Sequence, residues 1–357
     1  MTTVGTLHPA QALLLDVFEP VDGAAIVVVE GGDGTFAEMV AEEHHTDPPL
    51  TLDRDIRQLA QARRRHLPVS RSVIPIEACD VVLLSIPKGR AYARMLLAAV
   101  WSSLRVGGVL YLAGPSKVGA KSVIKDAQSL FGNAETLAYK HHQRAAKCVR
   151  TDRNPTDLPD WAREPGIAPG TTATLEVATP HGKLHAITRA GIFSWDGLDD
   201  GTALLLEHMR VQPGTHVSDV GCGCGILGAS AALGGAQVTM TDIDLLAIEC
   251  AQRTIDANHL RDRAKAIACD LLETGDHPAT PYDLIVSNPT FHSGHHQTTD
   301  MADRLIRAAR NRLKPDGRLL IVANQFLAYG KAMGREGWSV RTAADDGRYV
   351  IYEGRPA

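Results

Sequence analysis

The sequence predicts an α/β protein made of two tandem doubly wound, Rossmann-like domains, each with a mostly parallel sheet. Three observations indicate this fold. An apolar strand, a glycine-rich turn and a helical run follow one another over 217–233, and a similar strand with an acid and glycines occupies 24–34. The chain has 357 residues, which is enough for two domains of ordinary size. Strands that alternate with helical runs are typical of a parallel sheet covered on both faces.

Composition places the chain among globular proteins of the reducing cytoplasm. Hydrophobic residues make up 44% and charged residues 22%, which is ordinary for a soluble protein with well-buried cores. No apolar run reaches the eighteen or so residues that a membrane span needs, and the N-terminus does not resemble a signal peptide. The six cysteines form no CxxC pair, so we expect reduced thiols.

The glycine-rich turn of the second half is the first candidate binding element. Asp219 precedes Gly221, Gly223 and Gly225, and a helical run follows. Glycines let a backbone approach a ligand closely, and a helix N-terminus favours a carboxylate or phosphate. A dinucleotide site stays open, since a G-x-G-x-x-G match can start at Gly223. Asp219 can reach an amino group, which favours an amino-acid-bearing cofactor over a pyrophosphate.

Two further acids stand at predicted strand ends. Asp242 ends the next strand about 20 residues on, where doubly wound folds bind ribose hydroxyls. Asp244, just beyond it, is interpreted as a helix cap. Asp270 ends a third strand and could meet an adenine amino group; the other interpretation is a solvated loop carboxylate.

The tetrapeptide 288–291 is the candidate acceptor site. Asn288 and Pro289 follow the apolar run 283–287 and place an amide oxygen beside a backbone carbonyl. Phe291 adds a flat surface on which a base could stack. Together they could hold a planar group that bears an amine, such as a nucleobase, with Thr290 and His292 beside the substrate.

A metal site is not expected, although three histidines fall within 292–296. No carboxylate or cysteine stands at ligand spacing, so these side chains are interpreted as contacts to phosphate. Since the net charge is −4, local basic clusters must make any nucleic-acid contact. Two are visible, at 63–66 and at 140–144 with Lys147, Arg150 and Arg153. In the amphipathic run 303–314, Leu305, Ile306, Ala309 and Leu313 are predicted to be buried and the arginines to face solvent.

The N-terminal half is predicted to be a degenerate copy of the C-terminal half. Glu30 precedes Asp53 by the same interval, 53 − 30 = 23, that separates Asp219 from Asp242, 242 − 219 = 23. The run 80–87 ends in Ser-Ile-Pro, which sets Ile86 opposite Asn288. We therefore predict a degenerate domain at 1–153, a proline-rich linker and hairpin at 154–190, and a catalytic domain at 191–357.

The chain resembles class I S-adenosylmethionine-dependent methyltransferases, and more narrowly the bacterial ribosomal-RNA guanine-N2 methyltransferases, nearer those of the small subunit. The stretches 191–202, 219–225, 283–294 and 322–329 carry the resemblance. Thr290 departs from it, because the family usually has a second proline there.

The resemblance implies seven-stranded sheets and methyl transfer from S-adenosylmethionine to the exocyclic N2 of a guanine in 16S rRNA. A cytoplasmic location is expected from the N-terminus, and a monomer is expected because two fused copies could replace a homodimer. It also implies that Phe193 and Gly201 lie in a loop that covers the cofactor. The N-terminal domain of this chain would then recognise RNA or support the active domain. Two alternatives remain open: an Asn-Pro-type methyltransferase acting on adenine N6 or a protein glutamine, and a non-catalytic protein that binds rRNA.

Overall fold

The computed structural model describes residues 7–75, 77–273, 277, 280–289, 294–327 and 329–357, with the backbone alone for 294–300. The chain forms two compact units. Unit 1 holds Met1–Thr172 and Arg189–Gly191, and unit 2 holds Ala173–Thr188 and Ile192–Ala357. No helix in the described part of the chain is long and apolar enough to cross a membrane.

Unit 1 alternates helices and strands before closing with a hairpin. Its elements are α1 (Pro9–Val17), β1 (Ile26–Val29), α2 (Thr35–His44), β2 (Leu50–Leu52), α3 (Ile56–Arg64), β3 (Cys79–Ser85), α4 (Arg90–Ser103), β4 (Leu104–Pro115), α5 (Ala120–Phe131), β5 (Glu135–Lys140) and β6 (Gln143–Val149). All four residues of β1 are buried, as a central parallel strand covered on both faces requires. The strand order is β2-β1-β3-β4-β6-β5.

Unit 2 starts with a hairpin and then repeats the alternation. Its elements are β7 (Ala173–Thr179), β8 (Gly182–Thr188), α6 (Asp200–His208), β9 (His216–Val220), α7 (Ile226–Leu233), β10 (Gln237–Asp242), α8 (Leu245–Ala257), β11 (Ala264–Ala268), β12 (Tyr282–Ser287), α9 (Gly294–Arg310), β13 (Leu313–Asn324), α10 (Tyr329–Arg335), β14 (Trp338–Asp345) and β15 (Tyr349–Pro356). The main sheet runs β11-β10-β9-β12-β13-β15-β14. Asp244 caps α8, as predicted, by accepting from the Leu246 N–H at 2.9 Å.

The two sheets share one topology and differ by one strand. The sheet of unit 2 has the predicted seven strands, whereas the described residues of unit 1 form six. Where β11 pairs with β10 in unit 2, Val69 of unit 1 makes a single parallel bridge to Thr51 of β2. Among the described residues, the seventh strand is therefore reduced to one residue pair.

The strand registers correct the predicted alignment of the glycine loops. Val29 pairs with Leu52 in unit 1, and Val220 pairs with Thr241 in unit 2, in each case just before the terminal acid. Val28 therefore corresponds to Asp219, and Glu30 to Gly221. The equal interval of 23 misleads because the connection from β1 to β2 is longer: Gly32 to Asp53 spans 21 residues, but Gly223 to Asp242 spans 19.

The predicted match of Ile86 to Asn288 is also displaced by one residue. Leu83 pairs with Val28, and Val286 pairs with Asp219. Ser85 therefore stands where unit 2 has Asn288. The conclusion that unit 1 lacks the amide is unchanged.

Matching side-chain contacts support the duplication. Asp53 accepts hydrogen bonds from the Gly32 and Asp55 N–H groups at 2.8 and 2.9 Å, and Asp242 accepts from Gly223 and Asp244 at 3.0 Å each. Likewise, the Ala25 and His216 N–H groups donate to Asp80 and Asp283, which pair with Arg105 and Lys314. A shared fold alone does not require these side chains, so common descent of the two halves explains them better.

The structure divides the segment 154–190 differently from the predicted linker. The hairpin β7–β8 belongs to unit 2, because the His185 and Ile187 N–H groups donate to Asn258 and Thr254 of α8 at 3.0 and 2.9 Å. The preceding residues form two short 3-10 helices, Pro155–Asp157 and Asp160–Arg163. Trp161 there is buried in unit 1 beneath Arg94.

The second basic cluster is largely engaged within unit 1. Lys140 and Lys147 pair with Asp16 and Glu19, Arg150 stacks on Trp101, and Arg153 donates to carbonyls at the end of α5. In the first cluster, Arg65 pairs with Asp33 and Glu38, while Arg63 and Arg64 are exposed on α3.

The amphipathic pattern of α9 is confirmed for its apolar face. Leu305, Ile306 and Ala309 are buried, as is Leu313 in β13. Arg307 is exposed, as predicted, whereas Arg304 and Arg310 are half-buried, and all three bond within unit 2. Long guanidinium side chains can reach partners along the rim of a buried face.

We predict that Gly34→Ala destabilises unit 1 far more than Gly23→Ala. Both glycines have positive φ, +88° and +68°, so alanine at either position costs about 1 kcal/mol of backbone strain. A Cβ at Gly34 would lie 2.5 Å from Leu67 Cδ1 and 3.1 Å from Ala62 Cα, whereas one at Gly23 meets nothing within 4 Å. Thermal unfolding measures the difference; equal Tm shifts would contradict the close packing of α2 on α3.

Candidate active site

The candidate site lies where three neighbouring parallel strands of unit 2 end. β9 pairs with β10 on one side and β12 on the other, with Asp219 opposite both Met240 and Val286. The carboxyl ends of parallel strands meet at one edge of a sheet, which is where ligands bind in doubly wound folds. Asp219, Asp242 and Asn288 are therefore brought together, as the sequence predicts.

The loop after β9 forms an open backbone surface. Gly221, Gly223 and Gly225 all have positive φ, of +71°, +54° and +85°. A Cβ at Gly221 would meet nothing within 4 Å, and one at Gly223 would meet only Ile192 at 3.9 Å. The loop turns through left-handed conformations without a side chain, so its backbone is accessible to a bound group.

Asp219 lies in β9 just before this loop and bonds to the helix that follows the loop. Its Oδ2 accepts a hydrogen bond from the Gly228 N–H in α7 at 2.8 Å, and its buried Oδ1 has no hydrogen-bond partner among the residues that the structure describes. Burial raises the pKa of the carboxyl group to about 7. A buried acceptor with spare capacity fits a ligand that brings a cationic amino group.

Asp242 links the glycine loop to the next helix. Its two oxygens accept from the Gly223 and Asp244 N–H groups. A carboxylate at this strand end is where doubly wound folds bind a ribose hydroxyl. Its position at the end of β10, half-buried, is the one predicted.

Asp270 is engaged by Arg304, an arginine of the run 303–314 that the sequence predicts to face solvent. Arg304 of α9 donates to Asp270 Oδ2 and to Glu273 Oε1, both at 2.9 Å. These bonds raise the pKa of the Arg304 guanidinium. The carboxylate at the end of β11 is thus tied to the helix that follows the acceptor tetrapeptide, a connection between distant segments that no local pattern reveals.

Asn288 is held by two side chains at the start of α6. Its Nδ2 donates to Asp199 Oδ2 at 2.9 Å and to Thr202 Oγ1 at 2.8 Å. Asp199 also caps α6 by accepting from the Thr202 N–H at 2.9 Å. In the sequence this segment is noted only for the family resemblance. Asp199 is of a residue type that commonly caps a helix, so the helix start has a local signal. The contact with Asn288 joins distant segments and has no local signal.

Gly201 lies on the acceptor side of the site. It is buried in the first turn of α6, and a Cβ there would lie 3.1 Å from Asp199 Oδ2 and 3.2 Å from the Tyr349 ring. Phe193 is half-buried and directly follows Ile192, which borders Gly223. Of these two predicted cofactor residues, Phe193 is the one beside the glycine loop.

The remaining predicted residues lie around the tetrapeptide. Pro289 is buried directly after Asn288. Thr290, Phe291 and His292 lie outside the described residues. On the neighbouring strand end, Phe326 is 71% exposed just beyond β13.

Comparison with known proteins identifies the family. The Methyltransferase small domain family matches residues 183–353, and its N-terminal domain family matches 34–164. A ribosomal RNA small subunit methyltransferase C from Pseudomonas putida is 34% identical over 328 residues, covering 90% of this chain and 92% of its own length. The chain belongs to the ribosomal RNA small subunit methyltransferase C family. A Shewanella loihica member is 31% identical over 282 residues, or 78% of each chain.

A solved structure of this family extends the likeness to the whole fold. The T. thermophilus 16S rRNA N2 methyltransferase RsmC, in complex with AdoMet and guanosine, matches with a TM-score of 0.83 and 25% identity. The match covers 98% of this chain and 92% of that one. Two tandem class I methyltransferase-type domains, the first degenerate, are thus the fold of this member of the family.

We predict that Asp219→Asn makes the ligand-free protein relatively more stable as pH rises. In the unfolded chain this carboxyl group ionises near its usual pKa of 3.8, whereas in the folded protein it holds its proton until about pH 7. Ionisation of the unfolded state alone therefore lowers the free energy of unfolding across this window. Asparagine does not titrate, so its advantage should grow by about 2 kcal/mol between pH 5.5 and pH 8.

Asp283→Asn is the matched control. The Lys314 and His216 contacts hold the pKa of Asp283 below its usual value, although partial burial opposes them. That variant should lose stability at pH 8 rather than gain it. Urea unfolding at pH 5.5 and pH 8 measures the change in the free energy of unfolding for each variant. An effect of Asp219→Asn that does not depend on pH would contradict the raised pKa.

Proposed function

We propose that this protein transfers a methyl group from S-adenosylmethionine to the exocyclic N2 of a guanine in 16S rRNA. The observation that carries the proposal is the Asn288 amide, held at the end of β12 with its nitrogen bonded inward, one strand away from the Asp219 glycine loop. The family relatives are named for small-subunit rRNA methylation, and the T. thermophilus structure was obtained with AdoMet and guanosine.

The residues present fit the proposed cofactor. The open backbone at Gly221 and Gly223 would receive its amino-acid portion, with Asp219 below as a negative group for the amine. Asp242 would accept from its ribose, and Asp270 would meet its adenine amine. When bound, S-adenosylmethionine supplies an electrophilic methyl group on a sulfonium.

The acceptor chemistry follows from the positions of Asn288 and Pro289. The Asn288 Oδ1 and the Pro289 carbonyl would each accept one N–H bond of the guanine amine. Those bonds favour a pyramidal nitrogen and direct its lone pair at the methyl carbon. An N–C bond forms as the S–C bond breaks, S-adenosylhomocysteine leaves, and the amine loses one proton to water. Catalysis is then positioning and electrostatics, without a strong base.

Phe291 would stack on the base, with Thr290 and His292 beside it. A base within structured RNA must first leave its stack, which costs a few kcal/mol. A stacking ring offsets part of that cost, since base–aromatic stacking contributes about 1–3 kcal/mol.

Unit 1 is proposed not to transfer methyl groups. Val28 replaces Asp219, and Ser85 replaces Asn288. Glu30 stands at the position of Gly221 and accepts a hydrogen bond from the buried Tyr92, with Arg54 stacked over that ring. The surface that is open in unit 2 is therefore filled by side chains in unit 1. Its proposed role is to recognise RNA or to support unit 2.

The test is methyl transfer by the purified chain. With S-adenosylmethionine and 16S rRNA or small subunits from a strain lacking the enzyme, mass spectrometry should detect N2-methylguanosine. Asn288→Ala should lower kcat by at least about 100-fold, because the acceptor-directing oxygen is lost, while calorimetry gives an unchanged cofactor Kd. Ser85→Ala in unit 1 is the matched control and should retain wild-type activity.

Three outcomes would overturn this function. They are methylation at another position of guanine, transfer to adenine or protein only, and full activity of Asn288→Ala. The protein is also proposed to act as a cytoplasmic monomer, and light scattering of the purified chain should give the mass of one copy.

A further inference from the structure

We propose that Asp199 and Thr202 are positioning residues that orient the Asn288 amide so that Oδ1 can only face the acceptor amine. This inference rests on the proposed function of Asn288 and adds the device that makes its side chain an acceptor rather than a donor. It assigns a role to the start of α6, a segment that precedes β12 in the chain by more than eighty residues.

The chemistry of the two partners decides which end of the amide faces them. An ionised carboxylate can only accept, so the Asn288 atom at 2.9 Å from Asp199 Oδ2 must be the nitrogen. The Thr202 hydroxyl lies 3.4 Å from the same carboxylate oxygen, to which it can give its own hydrogen. That hydroxyl then offers a lone pair to the second N–H of Asn288, at 2.8 Å.

Both hydrogens of the amide are thereby used, and the opposite orientation is excluded. Turning the amide over would set Oδ1 against the Asp199 carboxylate and lose that hydrogen bond, and the Thr202 hydroxyl could donate to Oδ1 only by giving up its own bond to Asp199. Hydrogen bonds to charged groups are among the strongest in proteins, and an amide oxygen that faces a carboxylate adds repulsion. The pull of a carboxylate on the amide N–H also polarises Oδ1, which makes it a stronger acceptor.

The partners are themselves fixed in place. Asp199 caps α6 through the Thr202 N–H, so the same two residues anchor both the helix and the amide. Gly201 between them packs against the Tyr349 ring, and Asp200 pairs with Arg348 at 2.6 Å. An amide held by a helix start keeps its direction without reorganising during the reaction.

The same hydrogen bonds limit which edge of a base Asn288 can contact. Because Nδ2 donates to Asp199 and Thr202, the Asn288 side chain has no N–H left to donate to a base. It can accept from the N2 amine of guanine, but it cannot donate to the O6 carbonyl. Asp199 and Thr202 therefore help Asn288 to select the edge of the base that carries the amine.

The experiment compares three variants of the full chain on 16S rRNA. Thr202→Val keeps the shape but removes the hydroxyl, so one amide hydrogen loses its acceptor. We expect kcat to fall about 10- to 100-fold, with the KM for RNA and the Kd for S-adenosylmethionine within about 2-fold of wild type. Thr202→Ser restores the hydroxyl and should recover kcat to within about 3-fold. Asp55→Asn, a helix-cap variant of unit 1, should leave kcat unchanged.

The outcomes separate a positioning role from a structural one. If Thr202→Val lowers only Tm or cofactor affinity, or if serine fails to restore kcat, the inference is wrong. If Thr202→Val keeps full activity while Asn288→Ala is inactive, the proposed function stands and the inference fails. If the wild-type chain does not methylate guanine N2, the proposed function fails and the inference falls with it.

Discussion

The parallel pairing of β9 with β10 and β12 is the constraint on which the site depends. It sets Asp219 between Met240 and Val286, so each strand ends at the same edge of the sheet. The chain then delivers a carboxylate, a glycine loop and an amide to one place from segments that are far apart in sequence. A slip of one residue in either register would turn these side chains to the other face of the sheet.

The two units show which parts of this arrangement are scaffold and which are chemistry. Both keep the carboxylate that receives the loop N–H, Asp53 or Asp242, and the acid that receives the first N–H of the central strand. These bonds hold any such loop in place. Of the two units, only unit 2 has both a buried acid before the glycine loop, Asp219, and an amide at the end of the neighbouring strand, Asn288. The proposed lack of methyl transfer in unit 1 is compatible with its intact fold, because the residues that differ are not the ones that support the sheet.

Much of this could be predicted from the sequence because the relevant signals are local. Strand, glycine turn and terminal acid lie within about 25 residues, so local signals place Asp219 and Asp242 at one sheet edge. Asn288 directly follows another apolar run, which places it at the same edge. Two matches are wrong, for different reasons. Equal spacing misplaces Glu30, because the connection from β1 to β2 is longer than that from β9 to β10. Aligning Pro87 with Pro289 misplaces Ile86, because Pro87 lies one residue further beyond its strand. The contacts of Arg304 with Asp270 and of Asp199 with Asn288 could not be predicted, because they join distant segments through side chains alone.

The most direct measurement is the structure of this protein with S-adenosylmethionine and guanosine bound. We predict that the guanine N2 lies about 3 Å from Asn288 Oδ1, with Nδ2 still bonded to Asp199 and Thr202. The methyl carbon should lie on the other side of that amine. A guanine whose O6 or N7 faces Asn288, or an amide that has left Asp199, would contradict it.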